Sequence, residues 1–209
     1  MSSNVYVPAY EGLLYTMLQQ LRQRVGVSSS TTGSSGQGLV VAFTSALSGE
    51  GVTHTIQGLL SGLAQQVTAR ALLLNSSSLQ GPELSPLTLD GLCRPILGTD
   101  NIYELLTGPK QIGRGPWGGS WESRGAMIEH LRTTFDYVLI DCPALRDSND
   151  ILTIAPLVDG VLLVVEADRT RKEQILNAER SIEFARGRLL GYVLNKRSNV
   201  IPEWIYRRL

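Results

Sequence analysis

Five short runs in this chain are almost wholly apolar: "LVVAFT" (39–44), "ALLLN" (71–75), "YVLID" (137–141), "GVLLVVE" (160–166) and "LLGYVLN" (189–195). A strand with one wet face alternates apolar and polar residues. Runs without that alternation predict strands covered on both faces, the condition of a parallel sheet. Between them lie longer segments read as helices, 53–66, 101–107, 124–134 and 171–186, the last with Ile175, Ala178, Ile182 and Ala185 in one stripe. Strand alternating with helix over 209 residues predicts an α/β fold, a doubly wound and mostly parallel sheet with helices on both faces, rather than a barrel.

The organisation around this unit reads from composition. Residues 11–25, "EGLLYTMLQQLRQRV", place Leu14, Met17, Leu18, Leu21 and Val25 at helical spacing, so residues 1–27 form an N-terminal segment with an amphipathic helix. The polar stretch 28–38, "SSSTTGSSGQG", reads as a flexible linker, and the main domain as 39–209. Residues 108–125 carry six glycines and two tryptophans, Trp117 and Trp121, which predicts a surface loop whose tryptophans either plug the core edge or meet a partner. Lys plus Arg and Asp plus Glu both number 19, so no global basic field points to nucleic acid or to a membrane surface. From Glu166 onward ten Lys/Arg face six Asp/Glu, a bias read as a solvated face. No apolar run approaches the roughly 20 residues of a membrane span, and "MSSNVYVPAY" lacks the pattern of a signal peptide. Cys93 and Cys142 stand far apart without metal-ligand spacing. The expectation is a reduced, cytoplasmic protein without direct membrane insertion, recruited to the inner face of a membrane only by another chain.

Chemistry concentrates at strand ends. "TSALSGEGVTHT" (44–55) follows the first strand and opens a helix, as a phosphate-binding loop does. Backbone N–H groups at such a turn point at phosphate oxygens, a lysine spans the terminal phosphates, and a Ser/Thr hydroxyl binds Mg²⁺. Here Gly49, Glu50 and Gly51 form the turn, Thr53 takes the metal-ligand place, Ala46 replaces the first glycine and Val52 replaces the lysine. An ordinary strand-to-helix turn is the alternative. Asp141, ending an apolar strand, is a candidate to hold Mg²⁺ or else a turn cap. Asn75 and Ser77 end another strand on the same expected edge but carry no charge, which favours a capping role. Asn195 offers an amide donor and acceptor suited to a nucleobase, or serves as a turn residue. His54 and His130 are isolated, with surface or helix-capping roles outweighing catalysis.

Taken in this order, the pieces resemble the cytoplasmic domain of the bacterial tyrosine kinases of capsule and exopolysaccharide synthesis, within the MinD-type P-loop NTPases. "YEGLLYTMLQQLR" resembles that family's subunit-contact helix, with Leu14 and Met17, or close neighbours, where arginines are expected. "SALSGEGVTHTIQGLLSGLA" resembles its S-x-x-P-G-E-G-K-[ST] loop and helix, "TDNIYELLTG" its G-L-S-x-x-L-x-G segment, and "FDYVLIDCPAL" its F-D-Y-V-I-I-D-T-P-P. "VDGVLLVVEADRTRKEQI" and "LLGYVLNKR" match its closing elements. The resemblance implies ATP or ADP with Mg²⁺ as ligand, held by Gly49, Glu50, Gly51, Val52, Thr53, His54 and Asn195, with Thr53 and Asp141 at the metal. It also implies self-association through the N-terminal helix, a membrane-embedded polysaccharide co-polymerase or activator as partner, and no nucleic acid.

The departures bear on activity. The family's D-x-D-x-R acids and arginine are Asn75, Ser77 and Leu79, its loop lysine is Val52, and its C-terminal tyrosine cluster is reduced to Tyr206. Losing one charge-assisted hydrogen bond of about 1.5–3 kcal/mol weakens ATP binding about ten- to a hundredfold, and phosphoryl transfer by more. The expectation is a catalytically silent member, a pseudokinase acting as an interaction module, with nucleotide binding weak and not required. One alternative is an active tyrosine autokinase or ATPase taking its charge from Arg70, Lys110, Arg114 or a neighbouring subunit. Another is a MinD-like switch or positioning protein.

Overall fold

In the computed structural model the described residues are 18, 21, 23, 38–65, 69–76, 91–96, 98–105 and 121–196, with the side chains of 121 and 123 excepted. They form one seven-stranded sheet. The strands are β1 (Leu39–Ser45), β2 (Ala71–Asn75), β3 (Cys93–Pro95), β4 (Ile102–Leu105), β5 (Tyr137–Asp141), β6 (Gly160–Glu166) and β7 (Leu189–Asn195), in the order β3-β4-β2-β5-β1-β6-β7. Every pairing is parallel except β3 with β4. The fold is therefore the doubly wound α/β arrangement that the uninterrupted apolar runs predict.

The strand period sorts the core into two layers. On β1, Leu39, Val41 and Phe43 join α1 (Val52–Ala64) through Ile56, Leu59 and Leu63. Val40 and Ala42 face the opposite layer, covered by α2 (Trp121–Thr134), α3 (Asp150–Ile154) and α4 (Lys172–Phe184). Burial of β1 is complete along its length, as a central parallel strand requires. Leu18 and Leu21 are helical and buried in the α1 layer. Gln23 is helical and exposed; the other residues of the 11–25 segment, the 28–37 stretch, Trp117, Ser77, Leu79, Lys110, Arg114 and Tyr206 lie outside the described residues.

Two sequence expectations are corrected. The helix expected at 101–107 is replaced over its described residues by a strand: Ile102–Leu105 is β4, paired with β2 and β3. Ile102 and Leu105 are both buried and stand three apart, a spacing that a four-residue strand shares with one helical turn, so the pattern is ambiguous at that length. The loop expected over 108–125 gives way to α2 at Trp121, four residues before Gly125. The helices expected at 53–66, 124–134 and 171–186 correspond to α1, α2 and α4.

At the foot of the sheet the chain is strapped together. Asp159, in the turn before β6, accepts from the backbone N–H of Val40 at 2.7 Å and pairs with Arg132 of α2 at 2.6 Å. Arg132 also donates to the Gly38 carbonyl at 3.1 Å. A Cβ on Gly38 would lie 1.8 Å from the Phe135 carbonyl oxygen, so only glycine lets β1 start this close to α2. This fixes β1, and with it the loop at its other end.

Candidate functional site

β1, β2 and β5 end side by side, with Asp141 in register with Phe43 and Asn75. The loop between β1 and α1 rises at this carboxyl edge, where open α/β sheets bind ligands. Gly49 and Gly51 adopt φ of 81° and 94°, left-handed conformations that favour glycine. They turn the chain tightly enough for α1 to begin at Val52, so the helix's first N–H groups face the same edge.

A cavity of about 500 Å³ opens there, lined by residues 45, 48–54, 75, 141–144 and 147. The Thr53 hydroxyl donates to Asp141 Oδ2 at 2.6 Å. Asp141 is 9% exposed; burial raises its pKa and the Thr53 bond opposes that rise. A hydroxyl and a buried carboxylate in contact are hard oxygen donors suited to a Mg²⁺ that keeps several waters. Ser48 donates to Asp147 Oδ2 at 2.5 Å, placing a second carboxylate at the cavity wall. Asn75 and exposed His54 also line it. Val52, where a phosphate loop carries lysine, is 8% exposed and belongs to the α1 apolar layer. None of the described lining residues is lysine or arginine.

The loop is braced from behind. Glu50 is fully buried; its carboxylate accepts from the Leu47 N–H at 2.8 Å and from the Thr170 hydroxyl. Asn195 Nδ2 donates to the Glu50 carbonyl at 2.8 Å, and Lys196 Nζ to the Gly49 carbonyl at 2.5 Å. Glu166 Oε2 receives both Lys196 at 3.2 Å and Arg169 at 2.7 Å, and the Arg169 contact holds its pKa low. Beneath the floor, Asp150 accepts from Ser76 at 3.1 Å and Ser148 at 2.6 Å, beside the Cys142 thiol.

The structure brings together Gly49, Glu50, Gly51, Val52, Thr53, His54 and Asp141 at one cavity, with Asn195 at the back of the loop. Arg70 is not among them. It precedes β2 at the amino edge of the sheet, bonded to Asp136 and Thr134 and lying 5.2 Å and 5.1 Å from the Tyr103 and Phe135 ring centres. Sequence reasoning missed Ser48, Asp147 and Lys196. Each stands within a few residues of a recognised position, but only the fold sets them against the loop.

No protein-family model matches the chain. It is 28% identical over 182 residues to the tyrosine-protein kinase CpsD of Streptococcus agalactiae serotype Ia, covering 79% of this chain and 77% of that protein. A second protein of that name, from Streptococcus agalactiae, is 29% identical over 174 residues, covering 75% of this chain and 75% of that protein. A shorter match, 40% over 70 residues, joins 34% of the chain to 9% of the succinoglycan biosynthesis transport protein ExoP of Rhizobium meliloti. Among solved structures, the VpsO kinase domain superposes with a TM-score of 0.64 at 23% identity, over 90% of this chain and 95% of that one. The MinD cell division protein of Aquifex aeolicus superposes with a TM-score of 0.58 at 17% identity, over 82% and 73%. These likenesses show the fold alone: the same mostly parallel, doubly wound sheet is found in the VpsO kinase domain and in MinD.

Proposed function

We propose that this chain is a catalytically silent relative of the capsule and exopolysaccharide tyrosine kinases, a pseudokinase that works as an interaction and regulatory module. One observation carries the reading: the cavity built by the phosphate loop holds Asp141 and Asp147 and, among its described lining residues, no lysine or arginine. A triphosphate brings several negative charges, and phosphoryl transfer depends on fixed positive charge at the transferring group. Val52 cannot supply it, and Asn75 stands where a carboxylate is expected at the end of β2.

ATP or ADP would meet the loop N–H groups from Gly49 to Thr53, with Mg²⁺ carried between Thr53 and Asp141. Mg²⁺ would offset the repulsion between phosphates and the two aspartates, so the complexed nucleotide is the form this pocket admits. Binding is weak and the scaffold does not depend on it. The partner is a membrane-embedded polysaccharide co-polymerase or activator, in keeping with the succinoglycan biosynthesis transport name of one relative. No described helix is long and apolar enough to cross a membrane. In this reading the partner brings the chain to the membrane's inner face.

The intact Thr53–Asp141 pair favours one second reading, an active ATP-dependent autokinase or ATPase. Incubation of the full chain with radiolabelled ATP and Mg²⁺ separates the two. The expected result is no phosphate release and no labelled tyrosine; release or labelling at ordinary enzyme rates, lost in Asp141→Ala, overturns the silent reading.

A further inference from the structure

In a trans peptide the carbonyl and the following N–H point in opposite directions. Lys196 draws the Gly49 carbonyl, and Asn195 the Glu50 carbonyl, toward the end of β7. The N–H groups of Glu50 and Gly51 are thereby turned the other way, toward the cavity that Gly49, Glu50 and Gly51 line. Neither N–H has a backbone partner among the described residues. Gly51 is required by this clamp as well as by its φ of 94°, because a Cβ there would lie 2.1 Å from Asn195 Nδ2. Lys196 itself sits at φ 54°, an uncommon conformation for lysine that starts the side chain across the back of the loop.

We propose that Lys196 is the positioning residue of this phosphate loop, replacing from behind what a lysine at position 52 would do in front. Its ammonium does not touch the nucleotide's phosphates. It holds the Gly49–Glu50 peptide in the donor-inward setting and polarises it, which strengthens the N–H that a phosphate oxygen meets. Glu166 and buried Glu50 offset the charges of Lys196 and Arg169, so the effect is local and directional rather than a net field. This assignment rests on the reading that the loop cradles a nucleotide's phosphates.

The test is calorimetric titration of the full chain with MgADP, using wild type, Lys196→Met, Lys196→Arg, Val52→Lys and the Val52→Lys/Lys196→Met double variant. Lys196→Met is expected to weaken binding about tenfold, the effect of one hydrogen bond to a charged group, without lowering the melting temperature. Lys196→Arg keeps most of the affinity. In the Val52→Lys background the loss shrinks, because the front lysine then meets the phosphates directly. Pyrophosphate shifts the Glu50 and Gly51 amide resonances in wild type and much less in Lys196→Met. Unchanged affinity in Lys196→Met, or an equal loss in both backgrounds, overturns the proposal. Binding by Val52→Lys but not by wild type sinks it too, while leaving the phosphate-loop reading standing. No binding by either sinks both.

Discussion

Cys142 follows Asp141 directly, yet its chemistry is the reverse of an active-site thiol. It is 2% exposed, and burial, reinforced by the Asp141 and Asp150 carboxylates, pushes its pKa far above the ordinary thiol range. The folded chain therefore keeps this proton where the unfolded chain releases it. Above the ordinary thiol pKa the unfolded state binds fewer protons, so stability falls as pH rises. Cys142→Ala is expected to flatten that alkaline decline. A thiol reagent at neutral pH should modify half-buried Cys93 first and reach Cys142 only on unfolding; rapid loss of both thiols in the native protein would contradict the assignment. At this scale the sequence shows which residues stand in the loop motif. It does not show their surroundings: Asp147 is 99 positions from Ser48, and Lys196 is 147 from Gly49.

Among the elements, β1, β5 and β6 were legible because burial on both faces leaves no other composition, while β7 carries the same apolar run at the sheet edge with Tyr192 and Leu194 exposed. β3, "CRP" with a proline at an antiparallel edge, and the four-residue β4 were not, since neither is long enough to show a period. Equally hidden was the tie between α2 and the starts of β1 and β6, which depends on Arg132 and Asp159 meeting across 27 positions. Arg132 is 8% exposed and satisfies Asp159 and the Gly38 carbonyl together. Removing one member of a buried pair leaves the other charge uncompensated, so Arg132→Ala should cost about 3–5 kcal/mol in urea unfolding. Arg132→Ala/Asp159→Asn should cost less than the sum of the single changes. A loss below about 1 kcal/mol would mean that the strap is solvated in practice, as surface pairs are.

For the whole molecule, the brace of Glu50, Asn195, Thr170 and Lys196 sets the loop without help from a ligand, and the two apolar layers close around a fully buried β1. On the proposed silent reading the gain from nucleotide is small, because the cavity lacks a cation among its described lining residues, and that gain is measurable. A ligand that binds only the folded state stabilises it by about 0.4 kcal/mol when its concentration equals the dissociation constant. For a chain of this size that corresponds to a melting shift of about 1–2 °C. Val52→Lys, with affinity raised about ten- to a hundredfold, should gain about 1.4–2.7 kcal/mol at the same MgATP concentration. That is a shift of about 3–11 °C. Thermal melts of both proteins over a MgATP series check this, with magnesium alone as the control. A wild-type shift as large as that of Val52→Lys would mean that positive charge reaches the phosphates from elsewhere, and the silent reading would give way to the active one.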